Sequence, residues 1–156
     1  MQKAGALLSR RPYSKGELRD KIRKLADGEQ VEATLDRLEA VGLLNDAEYA
    51  YNFAFRRIME MAWGPARVRS SLIRRQVPPQ VAEAAIDRVQ QGVSEELLLS
   101  RYVDRFDQKR GLPTNRRAIQ KLISHLRSRG FNEDLIWDTR RRKIPVAAWR
   151  KYDTGE

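Results

Sequence analysis

Ser14-Lys15-Gly16-Glu17-Leu18-Arg19-Asp20-Lys21-Ile22 has two counterparts further along the chain. They are Gly64-Pro65-Ala66-Arg67-Val68-Arg69-Ser70-Ser71-Leu72 and Lys121-Leu122-Ile123-Ser124-His125-Leu126. The copies stand roughly fifty residues apart, the scale on which repeat architectures are recognised. In each, apolar residues recur four apart (Leu18/Ile22, Val68/Leu72, Leu122/Leu126) with basic residues between or beside them. An amphipathic helix cannot bury its own apolar stripe, so stacked copies must share a core, and stacking repeats the basic face along the body. This pattern predicts an all-α array with an extended charged surface for a long partner.

Helix punctuation surrounds these copies. Ser14-x-x-Glu17 reads as a capping box and Asn45-x-x-Glu48 as a second candidate. Gly64-Pro65 suits a cap followed by proline at the first helical position, and Pro79 fits the same role. Ser94-Glu95-Glu96 and Asn132-Glu133-Asp134 place a cap and carboxylates at the positive end of a helix dipole. Pro113-Thr114-Asn115 ends one helix and opens another. Helices are expected near 3–11, 14–26, 29–41, 45–62, 65–76, 79–91, 94–110, 115–129 and 132–143. No run alternates as a half-buried strand would. Grouped in threes, they make repeat 1 at 1–44, repeat 2 at 45–92 and repeat 3 at 93–143, with an irregular tail at 144–156 that Trp149 could dock.

The helical period nominates a core: Leu18, Ile22, Leu25, Val31, Leu35, Leu38, Leu43, Leu44, Tyr49, Phe53, Val68, Leu72, Val81, Ile86, Val89, Leu98, Tyr102, Phe106, Leu122, Leu126, Phe131, Leu135 and Ile136. Aromatic residues at helix spacing, such as Tyr49/Phe53, are read as core, since stacking aromatics must face solvent beside a basic groove.

The chain has 156 residues, 41% of them hydrophobic, and a formal net charge of +10. Such a balance points to a polyanionic partner: nucleic acid, an acidic protein surface or an anionic membrane. There is no cysteine, so disulfides and thiolate metal ligands are excluded. No apolar run approaches the roughly 18 residues of a membrane span. Residues 1–11 lack the long apolar stretch and cleavage site of a signal peptide, which makes a cytoplasmic location the expectation.

Catalytic patterns are missing. The glycines are scattered at helix ends and form no phosphate loop. His125 is the one histidine, has no serine elbow near it and reads as a helix residue at or near the surface. A histidine-rich metal site cannot be built from it, and neither metal nor cofactor is expected. Carboxylate pairs such as Glu17/Asp20 and Glu95/Glu96 are explained by caps and ion pairs. A non-enzyme is the expectation.

What remains is grouped arginine. Arg56 and Arg57 lie in the leading helix of repeat 2; Arg67, Arg69, Arg74 and Arg75 follow in its middle helix. Arg116, Arg117, Lys121, Arg127 and Arg129 occupy the matching helix of repeat 3. Arginine's planar fork can hold phosphate or carboxylate at two points. Any one cluster alone reads as a solvated face; recurrence in the same element of successive repeats sets binding level with that reading in the second and third. For Arg140-Arg141-Arg142-Lys143, stabilisation of a helix C-terminus competes strongly.

Several segments resemble one known family. Glu17-Leu18-Arg19-Asp20-Lys21-Ile22, Leu35-Asp36-Arg37-Leu38 and Gly42-Leu43-Leu44-Asn45-Asp46-Ala47-Glu48-Tyr49-Ala50 resemble the first unit of the bacterial RecX family, regulators of the RecA recombinase. Trp63-Gly64-Pro65-Ala66-Arg67-Val68-Arg69-Ser70-Ser71-Leu72 is similar to its Gly-Pro-x-Arg-Ile-Arg segment. Lys121 to Phe131 resembles its third unit. Ser71 stands where the family often has glutamate, and Gln76-Val77-Pro78-Pro79 replaces a Lys-Gly-hydrophobic turn. The resemblance implies an elongated, curved array of three three-helix repeats. It also implies a partner, the RecA filament on single-stranded DNA, whose ATP hydrolysis, extension and strand exchange it would impair. A monomer without a membrane partner is expected, with weak direct binding to single- or double-stranded DNA. The alternative is a stand-alone, non-specific nucleic-acid-binding protein.

Overall fold

The computed structural model describes residues 2–25 and 27–144. Among them are nine α-helices and no strand. They run α1 (Gln2–Leu8), α2 (Lys15–Ile22), α3 (Gly28–Ala40), α4 (Asp46–Phe55), α5 (Pro65–Arg74), α6 (Pro79–Gln90), α7 (Glu95–Arg110), α8 (Arg116–Ser128) and α9 (Glu133–Lys143). One π-helical turn, Arg56–Glu60, continues α4. The expected single helix over 45–62 therefore changes winding part-way, and Trp63 N–H closes on the Arg57 carbonyl at 3.0 Å. The tail proposal, with Pro145 and Trp149, lies outside the described residues.

The caps form as the residues require. Ser14 Oγ accepts from Glu17 N–H at 3.0 Å, while Glu17 reaches back to the Ser14 amide, so both halves of the capping box are made. Asn45 caps at Glu48 N–H, Ser94 at Leu97 N–H, Asn115 at Ala118 N–H and Asn132 at Asp134 and Leu135 N–H. Pro65 and Pro79 each open a helix, where a missing amide hydrogen costs nothing.

The helices pack into two compact units that interleave along the chain. Of the described residues, one holds those up to Phe55 together with Arg69–Val89; the other holds Arg56–Val68 together with those from Gln90 to Ile144. In the first unit, α1 and α3 pack on α2 around Ala4, Tyr13, Leu18, Ile22, Val31, Leu35, Leu38 and Leu44. In the second, α7 and α8 both pack on α9. Leu98, Leu99, Val103, Ile119, Leu122, Ile123, Leu126, Phe131 and Ile136 are buried there.

The buried face differs from the expected one in a regular way. Leu25 is 56% exposed because α2 ends at Ile22, and Leu43 is 61% exposed in the turn after α3 while Leu44 is buried. Tyr49 and Phe53 are half-buried; the buried line runs one residue on, through Ala50, Ala54 and Ile58. Tyr102 and Phe106 are likewise half-buried, with Leu99 and Val103 inside instead. Val81 and Leu135 are half-buried beside buried Ala82 and Ile136. On α4 the buried places go to Ala50 and Ala54, while the rings of Tyr49 and Phe53 sit at the margin.

In the second unit, the segment before α5 crosses the turn after α8 backbone to backbone. Gly64 N–H donates to the Arg129 carbonyl at 2.7 Å, and Ala66 N–H to the Gly130 carbonyl at 3.3 Å. A Cβ on Gly64 would overlap the Gly130 carbonyl, and one on Gly130 would overlap the backbone of Arg67. Gly130 also has φ of 84°, a region that other residues enter at a cost.

Candidate functional site

The arginines divide into those held within the fold and those left open. Arg69 forms a two-point pair with Glu83, one arm at 2.9 Å, and holds the Glu83 carboxyl below the usual carboxylate range through that hydrogen bond. Arg75 meets Glu17 at 3.2 Å and the Tyr49 hydroxyl at 3.4 Å, and lies over the Phe53 ring. Arg74 donates to Ser71 Oγ at 3.1 Å. These three belong to the first unit, and their contacts there hold α5 to its neighbours or to itself.

In the second unit, Arg57 and Arg67 both stack on the Trp63 ring, 4.7 and 3.9 Å from its centre. Arg56 pairs with Glu60 at 3.1 Å one turn on. Arg127 pairs with Glu133. Arg129 donates to the carbonyls of Met61 and Ala62 and covers the Tyr102 ring at 4.8 Å. Ala62 has φ of 49°, so Arg129 clamps a turn that alanine rarely adopts. Of the Arg140–Lys143 run, Arg141 pairs with Asp138, Arg142 with Glu96 and Lys143 with Asp104, while Arg140 stacks on Trp137.

Arg116, Arg117 and Lys121 are different: all three are exposed, and none has an ion pair or hydrogen bond among the described residues. Arg116 and Arg117 stand in the first turn of α8, which contains no acidic residue. The helix dipole disfavours cations at that end, so local stability does not explain them.

Lys121 opens onto a groove of about 850 Å³ between α7 and α8. The α7 wall carries Tyr102, Arg105, Phe106, Lys109 and Arg110; the α8 wall carries Ala118, Lys121, Leu122, His125 and Arg129. Positions three and four apart share a helix face, which is why these residues fall into two facing stripes. Gly111 to Thr114 closes one end. Arg105 and Lys109 also have no ion pair or hydrogen bond among the described residues, and Arg110 covers the Phe106 ring at 5.9 Å. The one carboxylate on the groove, Glu60, is already paired with Arg56. Arg105, Lys109 and Arg110 escaped the sequence reading because Asp104 and Asp107 are interspersed with them along the helix. The signal was the i, i+4 register with Tyr102 and Phe106.

His125 sits where the two walls meet. Its Nε2 is 2.7 Å from the Tyr102 hydroxyl and 3.2 Å from Arg129 Nε. Arg129 can only donate, so Nε2 accepts and the proton resides on Nδ1. Burial, then the guanidinium charges of Arg129, Arg110 and Arg67, push the imidazole below its ordinary value. It is therefore a neutral part of the wall at pH 7. Among the described residues no group of three or more histidine, cysteine or carboxylate side chains is placed to hold a metal, and no helix is long and apolar enough to cross a membrane.

The fold and its open cations define an all-helical protein of tandem three-helix domains with a groove suited to a polyanion. Comparisons with known proteins agree with that class. Residues 1–38 match the RecX first three-helix domain, and residues 45–86 match the RecX second three-helix domain. The chain is 37% identical over 107 residues to the regulatory protein RecX of Thermus thermophilus, covering 68% of this chain and 72% of that one. It is 35% identical over 133 residues to the regulatory protein RecX of Pseudomonas fluorescens, covering 83% and 82%. The crystal structure of RecX from Lactobacillus salivarius superposes with a TM-score of 0.76 at 19% identity, over 90% of this chain and 92% of that one. The last likeness shows the fold alone. The chain belongs to the RecX family of regulatory proteins.

Proposed function

We propose that this chain regulates the RecA recombinase by docking on the RecA filament on single-stranded DNA, where it slows ATP hydrolysis, filament extension and strand exchange. It acts by binding, as a monomer in the cytoplasm, and catalyses nothing. The observation that supports this most is the set of exposed cations without partners among the described residues, Arg105, Lys109, Lys121, Arg116 and Arg117, gathered on α7 and α8 of a RecX-family chain. Charges that a fold does not pair are available to an acidic filament surface or to phosphate. The three-repeat division at 1–44, 45–92 and 93–143 remains part of this proposal. Several linked weak contacts along a polymer can exceed any one of them by about 10²–10⁴ when the geometry allows.

The test is DNA-dependent ATP hydrolysis by RecA with the purified chain added. Hydrolysis should slow, and Arg116→Glu with Arg117→Glu should weaken the inhibition. Unchanged hydrolysis at saturating protein overturns the reading.

A further inference from the structure

The open cations of the second unit do not simply coat a surface. Arg105, Lys109, Arg110 and Lys121 face one groove whose walls are also aromatic, with Tyr102 and Phe106 half-buried and one turn apart on α7. Both rings were expected inside the core. Instead they stand at the margin, with part of each ring open to the groove. Tyr102 is held in place from three sides: Phe131 lies 6.4 Å from its ring centre, Arg129 covers it, and its hydroxyl meets His125. Phe106 has the Arg110 guanidinium beside it.

An acidic peptide would need the cations and would gain little from the rings. Duplex DNA presents phosphates but keeps its base faces stacked inside. An unpaired strand offers phosphates and open base faces together, and binding sites for it combine a cationic track with stacking side chains. We propose that the α7–α8 groove of the second unit is a binding site for a short segment of single-stranded nucleic acid, its phosphates on Arg105, Lys109, Arg110 and Lys121 and its bases against Phe106 and the exposed part of Tyr102. This deepens the regulatory reading by naming the filament component that the groove takes, and it holds without RecA present.

The full chain is titrated, in the absence of RecA, into a fluorescein-labelled dT oligonucleotide. Controls are an abasic oligonucleotide of the same length, the duplex, poly-glutamate and free dTTP. The dT strand should bind in the range of about 10⁻⁴–10⁻⁶ M with a strong salt dependence. The abasic strand should bind about tenfold more weakly, since each stacked base adds to the affinity. Phe106→Leu should weaken dT binding about tenfold and leave abasic binding unchanged. Lys109→Glu with Lys121→Glu should weaken both and flatten the log-log salt slope by about 1.4, from roughly 0.7 per phosphate.

His125 is the one histidine, so its ring resonances should shift on addition of dT. Equal binding of abasic and dT strands overturns the proposal, as does tighter binding of duplex or poly-glutamate. So does dTTP at the same concentrations, or dT binding that leaves the His125 resonance in place. Should Phe106→Leu lose helical circular dichroism, the abasic comparison on the unaltered chain decides. Failure here with RecA hydrolysis still slowed would retire the groove and keep the regulator; the reverse result would keep the groove and retire the regulator.

Discussion

Gly64 and Gly130 touch backbone to backbone, with no room for a Cβ on either. The contact joins the entrance of α5 to the turn after α8, and the hydrogen bond from Gly64 N–H to the Arg129 carbonyl runs alongside it. Gly64→Ala should destabilise the protein by about 1–3 kcal/mol, the ordinary cost of forcing extra atoms into a close-packed site. Gly130→Ala should cost at least as much, because it adds a positive φ to the overlap. Thermal unfolding followed by circular dichroism measures both. Gly5→Ala, with open space around it, serves as the reference and should be neutral or mildly stabilising.

Arg75 is expected to act through stability. Its guanidinium meets Glu17, whose carboxylate also accepts the Tyr49 hydroxyl at 3.2 Å. Arg75→Ala removes one partner and leaves the partly buried carboxylate short of a donor, a loss of about 1–3 kcal/mol. Tyr49→Phe should lose less, about 0.5–1.5 kcal/mol. Denaturant unfolding of the single and double variants will show coupling between them; strict additivity would mean the network is not cooperative.

His125 should titrate below its ordinary value of about 6.5. The sign follows from linkage: the unfolded chain takes up a proton first, so the stability due to neutral His125 is complete above about pH 6.5. It falls as the pH drops through the lower, folded value. The ring proton resonances report the titration directly, and His125→Gln should flatten the stability profile in that window. A midpoint at or above the ordinary value would show that the surrounding arginines and burial are ineffective.

Arg116→Glu presents opposite outcomes for stability and binding. A carboxylate in the first turn of α8 meets the positive end of the dipole and should raise helix stability by about 0.3–1 kcal/mol. The same change should weaken RecA inhibition. Melting temperature and ATP hydrolysis, measured on one preparation, separate the two. A variant that is both more stable and fully inhibitory would remove Arg116 from the binding surface.

Leu18→Ala, at a site with no exposure, should cost about 2–5 kcal/mol. Leu43→Ala should stay within about 0.5 kcal/mol, the scale of surface changes. Equal losses at the two sites would contradict the burial pattern.

Helix ends were readable because their signals are local. Ser14, Asn45, Ser94, Asn115 and Asn132 cap amides no more than three residues away, so spacing alone reveals them. The buried line was harder. Ala50 and Ala54 take the inside, yet hydropathy favours Tyr49 and Phe53 beside them. The π-helical turn then shifts the register at Arg56–Glu60, a change no periodic template carries. The fate of the arginines was least readable. Arg69 meets Glu83 on another helix, and Arg75 reaches Glu17, 58 residues earlier in the chain. Only the packing of helices far apart in sequence decides which guanidiniums are held and which remain open. Lys121 was found as one of a cluster; Arg105 and Lys109 became visible when α7 and α8 turned their stripes toward one groove.

The interleaving of the two units also constrains how the chain can fold as it is made. Arg56–Val68 belongs with segments from Gln90 onward, so at synthesis rates of about 5–20 residues per second it waits several seconds for its partners to leave the ribosome. During that interval Arg56–Val68 lacks the later segments of its own unit. A truncation that ends before Gln90 would recreate this unfinished nascent state permanently, so a loss of activity in it would not by itself locate a function.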